Sequence, residues 1–507
     1  MAPLRPLLRD ALEALGIRRF LLALHDAAFP ARPEEDAGIG SPQLSGADEV
    51  LALASDLGFD GIQLGPAGAT SASNPSPYDG ALFSRSPLAI ALPPLASADA
   101  GALLSPRTLA SLIEGRPGPP DRVAYRHAYA AYGRALAEVA AAFRARRARG
   151  EGGAVADLDR RLRGFRARSA AWLDRDALFE ALSRAHGGAG WRAWPAADRD
   201  LFAPAPGEEG RAAARRGALL AAHADEVEAW ALGQLLAHEG HARFRGRARA
   251  AGLRVHGDLQ AGLSERDVWA SAAFVLPDLR MGAPPSRTDP GGQAWGFAVL
   301  DPGQRRGPAG EEGPALAFVR ARAARAFQDC DGARLDHPHG LVCPWVYRVG
   351  GDPDAEVRRG ARLLDSPDLP WLAPLAIARP EQLDRALPRH ADGWVRALDD
   401  GQVERYAALL DAVVAAAPSP GDVACEVLST LPYPLRRVLD RHGLGRFRVT
   451  QKADLSRPDD VYRGENARPE DWIMLGNHDT RPMRAVAARW LADGTALAHA
   501  RRLAARL

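Results

Sequence analysis

Short apolar runs alternate with helical segments along both ends of this chain. Residues 20–24 and 61–64 are apolar runs of strand length, and between them residues 46–57 repeat apolar positions at helical spacing. Gly58 follows the helical segment, where a C-capping glycine is expected. Strand, helix, strand is the unit that builds a parallel sheet with helical cover. The pattern therefore predicts that the chain opens with this unit.

The same pattern returns after a long helical stretch. Helical periodicity dominates residues 110–252, with breaks at the glycine and proline clusters 116–120, 150–153 and 204–210. Later strands are predicted at 253–259, 332–336, 422–426, 446–450 and 472–476, with helices at 316–327 and 403–416 between them. We divide the chain into a first part of a barrel (1–109, two strands), a helical insertion subdomain (110–252) and the remainder of the barrel with the catalytic strands (253–507).

The predicted strands end in polar, reactive residues. These residues are His25, Asp258, Asp336, Glu426, His478 and Asp479. Functional side chains gathered at strand ends are typical of a (β/α)₈ TIM barrel, whose active site lies at the C-terminal face of the strands. A doubly wound sheet would place its site at one switch point beside a glycine-rich phosphate loop. The sequence contains no G-x-G-x-x-G or P-loop pattern, so the barrel with helical insertions is favoured.

The stretch from Asp331 to His337 carries the most informative chemistry. Arg334 and Asp336 lie two positions apart, so a strand places both side chains on one face. An arginine beside a carboxylate keeps that carboxylate ionised, as a glycosidic nucleophile requires. A structural Arg–Asp pair explains the tripeptide alone better. The two later acidic strand ends, at Glu426 and Asp479, shift the balance toward catalysis.

Composition excludes several classes of function. The 507 residues are 47% hydrophobic, and 65 basic against 63 acidic residues give a net charge of +2. This balance singles out neither nucleic acid nor an anionic membrane. The arginine-rich segment 144–168 contains interleaved acidic residues and almost no aromatic residues, so we interpret it as a solvated helical face. We expect neither a nucleic-acid nor a membrane partner, and no cofactor or metal.

Three cysteines form no disulfide framework and show no zinc spacing. Buried, inert thiols are the simplest interpretation. Residues 1–15 are charged and contain prolines, so they do not resemble a signal peptide, and no run of eighteen apolar residues occurs. We therefore expect a cytoplasmic protein.

Ordered along the chain, several motifs resemble those of the amylomaltases, or disproportionating enzymes, which are 4-α-glucanotransferases. The matching pieces are Gln63-Leu64-Gly65-Pro66, Ser76-Pro77-Tyr78, Trp172-Leu173, Ala177-Leu178-Phe179-Glu180-Ala181-Leu182, Trp191, Trp194-Pro195, Gly257-Asp258-Leu259, Asp267-Val268-Trp269-Ala270, Gly292-Gln293-Ala294-Trp295-Gly296, Arg334-Leu335-Asp336-His337, Glu426 and His478-Asp479. No single piece is specific, but their order over most of the chain is. The family fold is a (β/α)₈ barrel with helical insertions, as the pattern predicts.

The resemblance implies roles for individual residues. Asp336 would be the nucleophile, Glu426 the general acid and then base, and Asp479 a support for the distorted sugar and its positive charge. The implied substrate-binding residues are Ser76, Tyr78, Asp258, Trp295, Arg334, His337 and His478. The substrate would be an α-1,4-glucan or maltooligosaccharide, and for retaining chemistry the carboxyl groups of Asp336 and Glu426 should lie about 5–5.5 Å apart. The oligomeric state is not indicated.

The sequence also departs from the family pattern. Four family motifs differ here. His337-Pro338-His339-Gly340 stands in place of His-Phe-Arg-Gly, and Val427-Leu428-Ser429 stands in place of Asp-Leu-Gly. Pro284-Pro285-Ser286-Arg287 replaces Pro-Pro-Asp-aromatic, and Asn477-His478-Asp479-Thr480 replaces Thr-His-Asp-Asn. The three carboxylates remain, but chain-length preference and the balance of transfer and hydrolysis are open. An α-glucan hydrolase and a catalytically impaired glucan-binding relative are the alternatives.

The C-terminal end is the largest departure. Only 28 residues follow Asp479 (507 minus 479), and they are predicted as one helix over 484–507. The pattern gives seven strands. Either C-terminal truncation removes the last strand, which we favour, or an eighth strand lies elsewhere. A barrel open in this way would leave unpaired edges on the first and seventh strands, which invite association.

Overall fold

The computed structural model describes residues 4–286 and 289–504. Its strands are β1 (Leu21–Ala23), β2 (Gly61–Gln63), β3 (Arg254–Leu259), β4 (Val275–Ala283), β5 (Gln293–Leu300), β6 (Gly332–Leu335), β7 (Trp345–Arg348), β8 (Ala361–Arg362), β9 (Val423–Cys425), β10 (Phe447–Val449) and β11 (Trp472–Met474). Its helices are α1 (Leu4–Ala14), α2 (Ala47–Asp56), α3 (Pro106–Glu114), α4 (Tyr125–Ala148), α5 (Ala154–Ala185), α6 (Ala196–Arg199), α7 (Glu209–Ala222), α8 (Ala224–Ala250), α9 (Glu265–Ala270), α10 (Pro314–Asp329), α11 (His339–Val342), α12 (Pro353–Arg358), α13 (Asp400–Ala416), α14 (Tyr433–His442), α15 (Met483–Ala492) and α16 (Ala496–Ala504).

A parallel sheet organises the molecule. Five strands pair in the order β1-β2-β3-β6-β9, and β10 and β11 form a second parallel pair. The N–H of Phe447 in β10 donates to the Val427 carbonyl just beyond β9 at 3.2 Å, which brings the two sheets together. All the predicted parallel strands are therefore present. The described residues confirm a mixed α/β architecture with a parallel half-barrel sheet, and the closed eight-stranded barrel stays a prediction.

An antiparallel sheet of order β5-β4-β7-β8 lies beside the parallel one. The sequence pattern did not predict this sheet and indicated a loop over much of the region. Pro277 lies inside β4 and glycines precede β5, so the residues read as turn-forming. The register between β4 and β5 also shifts at two places. This sheet carries Trp295 toward the parallel strands.

Helices α3 to α8 fill the stretch that was predicted to be helical. Three of the breaks between these helices fall at the predicted glycine and proline clusters, whereas the breaks at 186–195 and at His223 were not predicted. Helices α4, α5 and α8 pack together through buried side chains such as Tyr132, Phe143, Leu162 and Leu235. The division into domains at 109/110 and 252/253 stays a prediction.

The C-terminal helix prediction was wrong in one respect. The segment forms two helices, α15 and α16, because Gly494 between them adopts a φ of 74°. Residues 505–507 of the predicted helix lie outside the described residues, as does Arg287 of the Pro284–Arg287 departure.

The thiols of Cys330, Cys343 and Cys425 are free and buried, as predicted. Burial raises the pKa of Cys330 and of Cys425 to about 12, and it also raises the pKa of Cys343. Separately, in the part of the chain that the structure describes, no helix combines the length and the apolar character needed to cross a membrane.

Candidate active site

The pairing of three parallel strands brings three carboxylates together. Asp258 lies in β3, and Asp336 and Glu426 directly follow β6 and β9. The N–H of Asp336 donates to the Leu259 carbonyl and that of Glu426 to the Leu335 carbonyl, each at 2.9 Å. These bonds extend the parallel ladders by one residue, so the register of the sheet itself sets the side chains next to each other.

Arg334 lies at the centre of this cluster. Its Nη1 donates to both carboxylate oxygens of Asp258 at 2.7 and 2.6 Å. Its Nη2 donates to Asp336 Oδ1 at 2.9 Å and also to Glu426 Oε2. The planar, permanently charged guanidinium suits this arrangement, since it presents several donors in fixed directions. One buried cation therefore serves three buried carboxyl groups.

Asp336 and Glu426 are close enough to interact directly. One oxygen of each, together with His337 Nδ1, lies within 4.8 Å of the other two atoms. His337 Nδ1 lies 3.0 Å from Asp336 Oδ1 and 3.5 Å from Glu426 Oε2. Arg334 Nη2 already donates to both carboxylates. The guanidinium therefore occupies the place where a metal ion between them would lie.

The environment gives the two carboxyl groups opposite pKa shifts. Burial raises the pKa of Glu426 to about 8, even though Arg334 and His337 oppose that rise. Burial also acts to raise the pKa of Asp336, but His337 and Arg334 outweigh it and hold that pKa below its ordinary value. Near neutral pH, Asp336 is ionised and Glu426 keeps its proton. Two carboxyl groups whose pKa values differ in this way can take different roles, one as nucleophile and the other as acid and base.

Asp258 has a third environment. Burial raises its pKa to about 7, against the effect of Arg334. Its Oδ2 also accepts a hydrogen bond from the Tyr78 hydroxyl at 3.2 Å. This bond fixes the hydroxyl end of the Tyr78 ring at the cluster.

Aromatic rings form one wall beside the carboxylates. The Tyr78 ring stacks on His478 with centroids 5.2 Å apart, and His25 lies 4.9 Å from His478. On another side, the Trp295 ring meets His337 edge-on at 4.9 Å. Flat rings around a polar centre suit sugars, whose apolar faces stack on aromatic side chains.

Asp479 approaches the cluster from the loop after β11. Its side chain is 55% exposed, unlike the buried Asp336 and Glu426. Asn477 joins Asp479 to the others, because its Nδ2 lies 3.4 Å from both Glu426 Oε1 and Asp479 Oδ2. His478 Nε2 lies 3.4 Å from Asp479 Oδ1.

His337 has an unusual backbone conformation. Its φ is 40°, in the left-handed region that residues other than glycine rarely adopt. The conformation turns the chain directly after β6 and directs the imidazole back to the Asp336 carboxylate. Strained backbone of this kind clusters at functional sites.

The structure brings together most of the residues that the sequence singled out. Asp258, Arg334, Asp336, His337 and Glu426 form the cluster, and the neighbouring residues Tyr78, Trp295, His478 and Asp479 surround it. Ser76 stands farther away, before the turn that presents Tyr78, and its N–H donates to Asn74 Oδ1 at 3.2 Å. Their catalytic and binding roles stay predictions.

Two residues at this site had no predicted catalytic or binding role. His25 is one of the reactive strand ends that predict where the site lies, and Asn477 is only a departure from the family pattern. Their position directly after strands was the available signal.

A cavity of about 1190 Å³ opens next to Trp295, between the helical segment and the antiparallel sheet. Its walls include the aromatic side chains of Phe179, Trp191, Trp230 and Phe297. The three carboxylates named above do not line it, so the cavity adjoins the chemical centre through Trp295 and His337.

Comparison with known proteins finds a curated relative of this chain. A 4-alpha-glucanotransferase of Thermus thermophilus is 29% identical over 340 residues, which are 65% of this chain and 60% of that protein. The alignment thus spans less than two thirds of that relative's length.

Solved structures show the same fold at low sequence identity. An amylomaltase from Streptococcus agalactiae in complex with acarbose superposes with a TM-score of 0.67 at 15% identity, covering 91% of this chain and 80% of that one. An amylomaltase from Corynebacterium glutamicum superposes with a TM-score of 0.62 at 17% identity, covering 94% of this chain and 56% of that one. A sequence model described as 4-alpha-glucanotransferase matches residues 29–504, and the chain therefore belongs to the 4-alpha-glucanotransferase family.

Proposed function

We propose that this protein is a 4-α-glucanotransferase that acts by retaining double displacement. It would transfer a segment of an α-1,4-glucan or maltooligosaccharide to the 4-hydroxyl of an acceptor glucan or glucose. The observation that carries the proposal is the close Asp336–Glu426 pair with opposite pKa shifts. Retaining glycosidases need two carboxyl groups about 5–5.5 Å apart, whereas inverting enzymes need room for a water molecule between them.

In the first half of the reaction, ionised Asp336 attacks the anomeric carbon of the donor. The glycosidic bond breaks, and Glu426 gives its proton to the departing glucan oxygen. Arg334 holds the attacking carboxylate in place through the bond to Oδ1. Asp479, at the open side of the site, is positioned to support positive charge on the sugar ring.

In the second half, Glu426 acts as a base. It takes the proton of the acceptor 4-hydroxyl while that oxygen attacks the anomeric carbon and Asp336 leaves. Transfer then depends on a sugar reaching the intermediate before water does. Tyr78, His478 and Trp295 would favour a sugar, since their rings offer stacking surfaces and limit water.

The complete fold, the substrate and the location of the protein can also be proposed. We propose that the parallel strands belong to a (β/α)₈ barrel, consistent with the amylomaltase structures that share its fold. We propose an α-glucan as the substrate, and acarbose, present in one of those structures, is a suitable probe of binding. Free, buried thiols agree with a cytoplasmic location.

Incubation with maltotriose and separation of the products tests the proposed activity. A ladder of longer oligomers together with glucose would support transfer. Short sugars alone would identify an α-glucan hydrolase. If the sugar stays unchanged while acarbose still binds, the protein is a glucan-binding relative without activity and the proposal is wrong.

A further inference from the structure

The amide of Asn477 lies between two carboxylates that reach the site from different strands. Its Nδ2 is 3.4 Å from Glu426 Oε1 and 3.4 Å from Asp479 Oδ2. A side-chain amide nitrogen carries two hydrogens, so it can donate to both acceptors at once. Asn477 is also one of the positions where this sequence departs from the family pattern.

The loop around Asn477 is closed by its own hydrogen bonds. The N–H of Asn477 donates to Thr480 Oγ1 at 2.9 Å, and the Thr480 hydroxyl donates to the Asn477 carbonyl at 2.8 Å. The N–H of Asp479 donates to Asn477 Oδ1 at 3.2 Å. A Cβ on Gly476 would overlap Thr480 Oγ1 and lie 2.5 Å from Gln451 Nε2, so both side chains would have to shift to admit it. The amide of Asn477 is therefore held in one orientation before substrate arrives.

Glu426 presents its two oxygens to different groups. Oε2 accepts from Arg334 and lies 3.5 Å from His337 Nδ1. Oε1 faces Asn477. The other titratable groups that act on Glu426 are Asp336 in contact, Tyr78 across Arg334, and Asp479 beyond the amide. A donor aimed at a carboxylate favours its ionised form, whereas neighbouring carboxylates oppose it.

We propose that Asn477 is a positioning residue that fixes Glu426 relative to Asp479 and favours the ionised form of Glu426. This inference rests on the proposed function, in which Glu426 must be protonated for the first step and ionised for the second. The amide makes the second state easier to reach and keeps the negative charges of Glu426 and Asp479 apart.

A purely local role in the loop predicts a different outcome. Asn477→Asp keeps the oxygen that accepts from the Asp479 N–H but loses the donor hydrogens and adds a charge. Asn477→Ala loses both features. If Asn477 only shaped the loop, Asn477→Ala would lower activity equally at every pH and leave the alkaline limb in place, whereas the charge added by Asn477→Asp would move that limb in either case.

The test is the pH profile of kcat/KM for maltotriose, measured for the natural protein and both variants. Loss of the donor should raise the pKa of Glu426, so the alkaline limb should move to higher pH, by about half a unit or more. Asn477→Asp should move it farther than Asn477→Ala. Asn466→Ala is the matched control, because the Asn466 amide donates to the Pro458 and Asp460 carbonyls at 2.8 and 2.9 Å, away from the site.

An alkaline limb that stays in place in Asn477→Ala would overturn the inference while leaving the transferase assignment intact. If the natural protein shows no activity at any pH, the proposed function fails instead. The pKa of Glu426 can then be measured directly by ¹³C NMR of labelled glutamate, with Glu426→Gln identifying its signal. An unchanged pKa in Asn477→Ala would again overturn the inference, and a raised one would support it.

Discussion

At the scale of single residues, the site depends on one arginine. Arg334 contacts Asp258, Asp336 and Glu426. Its single positive charge cannot balance three ionised carboxyl groups. The excess negative charge is relieved by protons, and burial decides which groups keep them. Asp336 is left ionised because His337 also supports it. The different protonation states of the carboxyl groups are thus a property of the whole cluster.

Asp336→Asn should abolish turnover of maltotriose while acarbose binding changes little. The substitution removes the proposed nucleophile but preserves the shape and much of the hydrogen bonding of the side chain. Steady-state rates and calorimetric titration with acarbose measure the two effects separately.

Asp331→Asn is the matched control for that experiment. Asp331 lies just before strand β6, at the end opposite to Asp336. It pairs with Arg245 and Arg249 at 2.5 and 2.8 Å. It should lower the melting temperature and leave kcat near that of the natural protein. Retained turnover in Asp336→Asn would place the nucleophile elsewhere.

At the scale of elements, strand β6 is pressed against β3. His256 pairs with Gly332 in the register, and the His256 ring occupies the space in front of the glycine. The ring is fully buried, neither of its nitrogens has a hydrogen-bond partner among the described residues, and burial lowers its pKa to about 4. A neutral imidazole therefore fills the interior below Arg334 and Asp258.

Gly332→Ala should destabilise the protein by about 1–3 kcal/mol, because overpacking forces the strands apart. A Cβ would overlap the His256 ring and lie 2.8 Å from the Asp422 carbonyl oxygen. Adding His256→Ala should recover part of the loss, which denaturant unfolding of both variants can measure.

Gly133→Ala provides the comparison, since nothing lies within 4 Å of a Cβ built on Gly133 in helix α4. It should stabilise the protein slightly. Full stability in Gly332→Ala would show that β3 and β6 can separate freely.

The parallel strands could be predicted from their apolar runs, and most of these runs end in a residue with evident chemistry, such as Asp336 or Glu426. The antiparallel sheet could not, since Pro277 and the glycines before β5 hide its strands. Likewise, Asn477 and Glu426 are 51 positions apart, and only the folded chain shows that they meet. Local patterns predict elements, whereas contacts between distant loops depend on packing.

At the scale of the whole molecule, a carboxyl group with a raised pKa lowers the stability of the folded protein at neutral pH. A carboxyl group whose pKa is raised in the folded state binds a proton that the unfolded chain releases. The free energy of unfolding therefore falls as pH rises from the unfolded pKa, about 4.3, through the folded pKa. For Glu426 the folded value is about 8, so this window covers neutral pH.

Glu426→Gln should consequently melt at a higher temperature than the natural protein, with a difference that grows between about pH 5 and pH 8. The amide removes the need to keep a proton, and the gain should reach about 1–3 kcal/mol at the alkaline end. Thermal melts at several pH values measure it.

Glu138→Gln is the control in the same melts, and it should melt below the natural protein by an amount that stays constant between about pH 5 and pH 8, because a lowered carboxyl pKa titrates below that range. The Glu138 carboxylate accepts from the Ser105 N–H and the Thr108 hydroxyl, and these bonds lower its pKa despite partial burial. Equal melting temperatures for Glu426→Gln and the natural protein at every pH would show that Glu426 titrates normally.

The buried cysteines have a practical consequence for experiments on motion. Because all three thiols are enclosed and two have a pKa of about 12, maleimide dyes should react with them slowly in the folded protein. A single cysteine introduced at exposed Ser73, in the loop that leads to Tyr78, would then be labelled selectively. Fluorescence from that position could follow sugar binding in real time without first removing any natural cysteine.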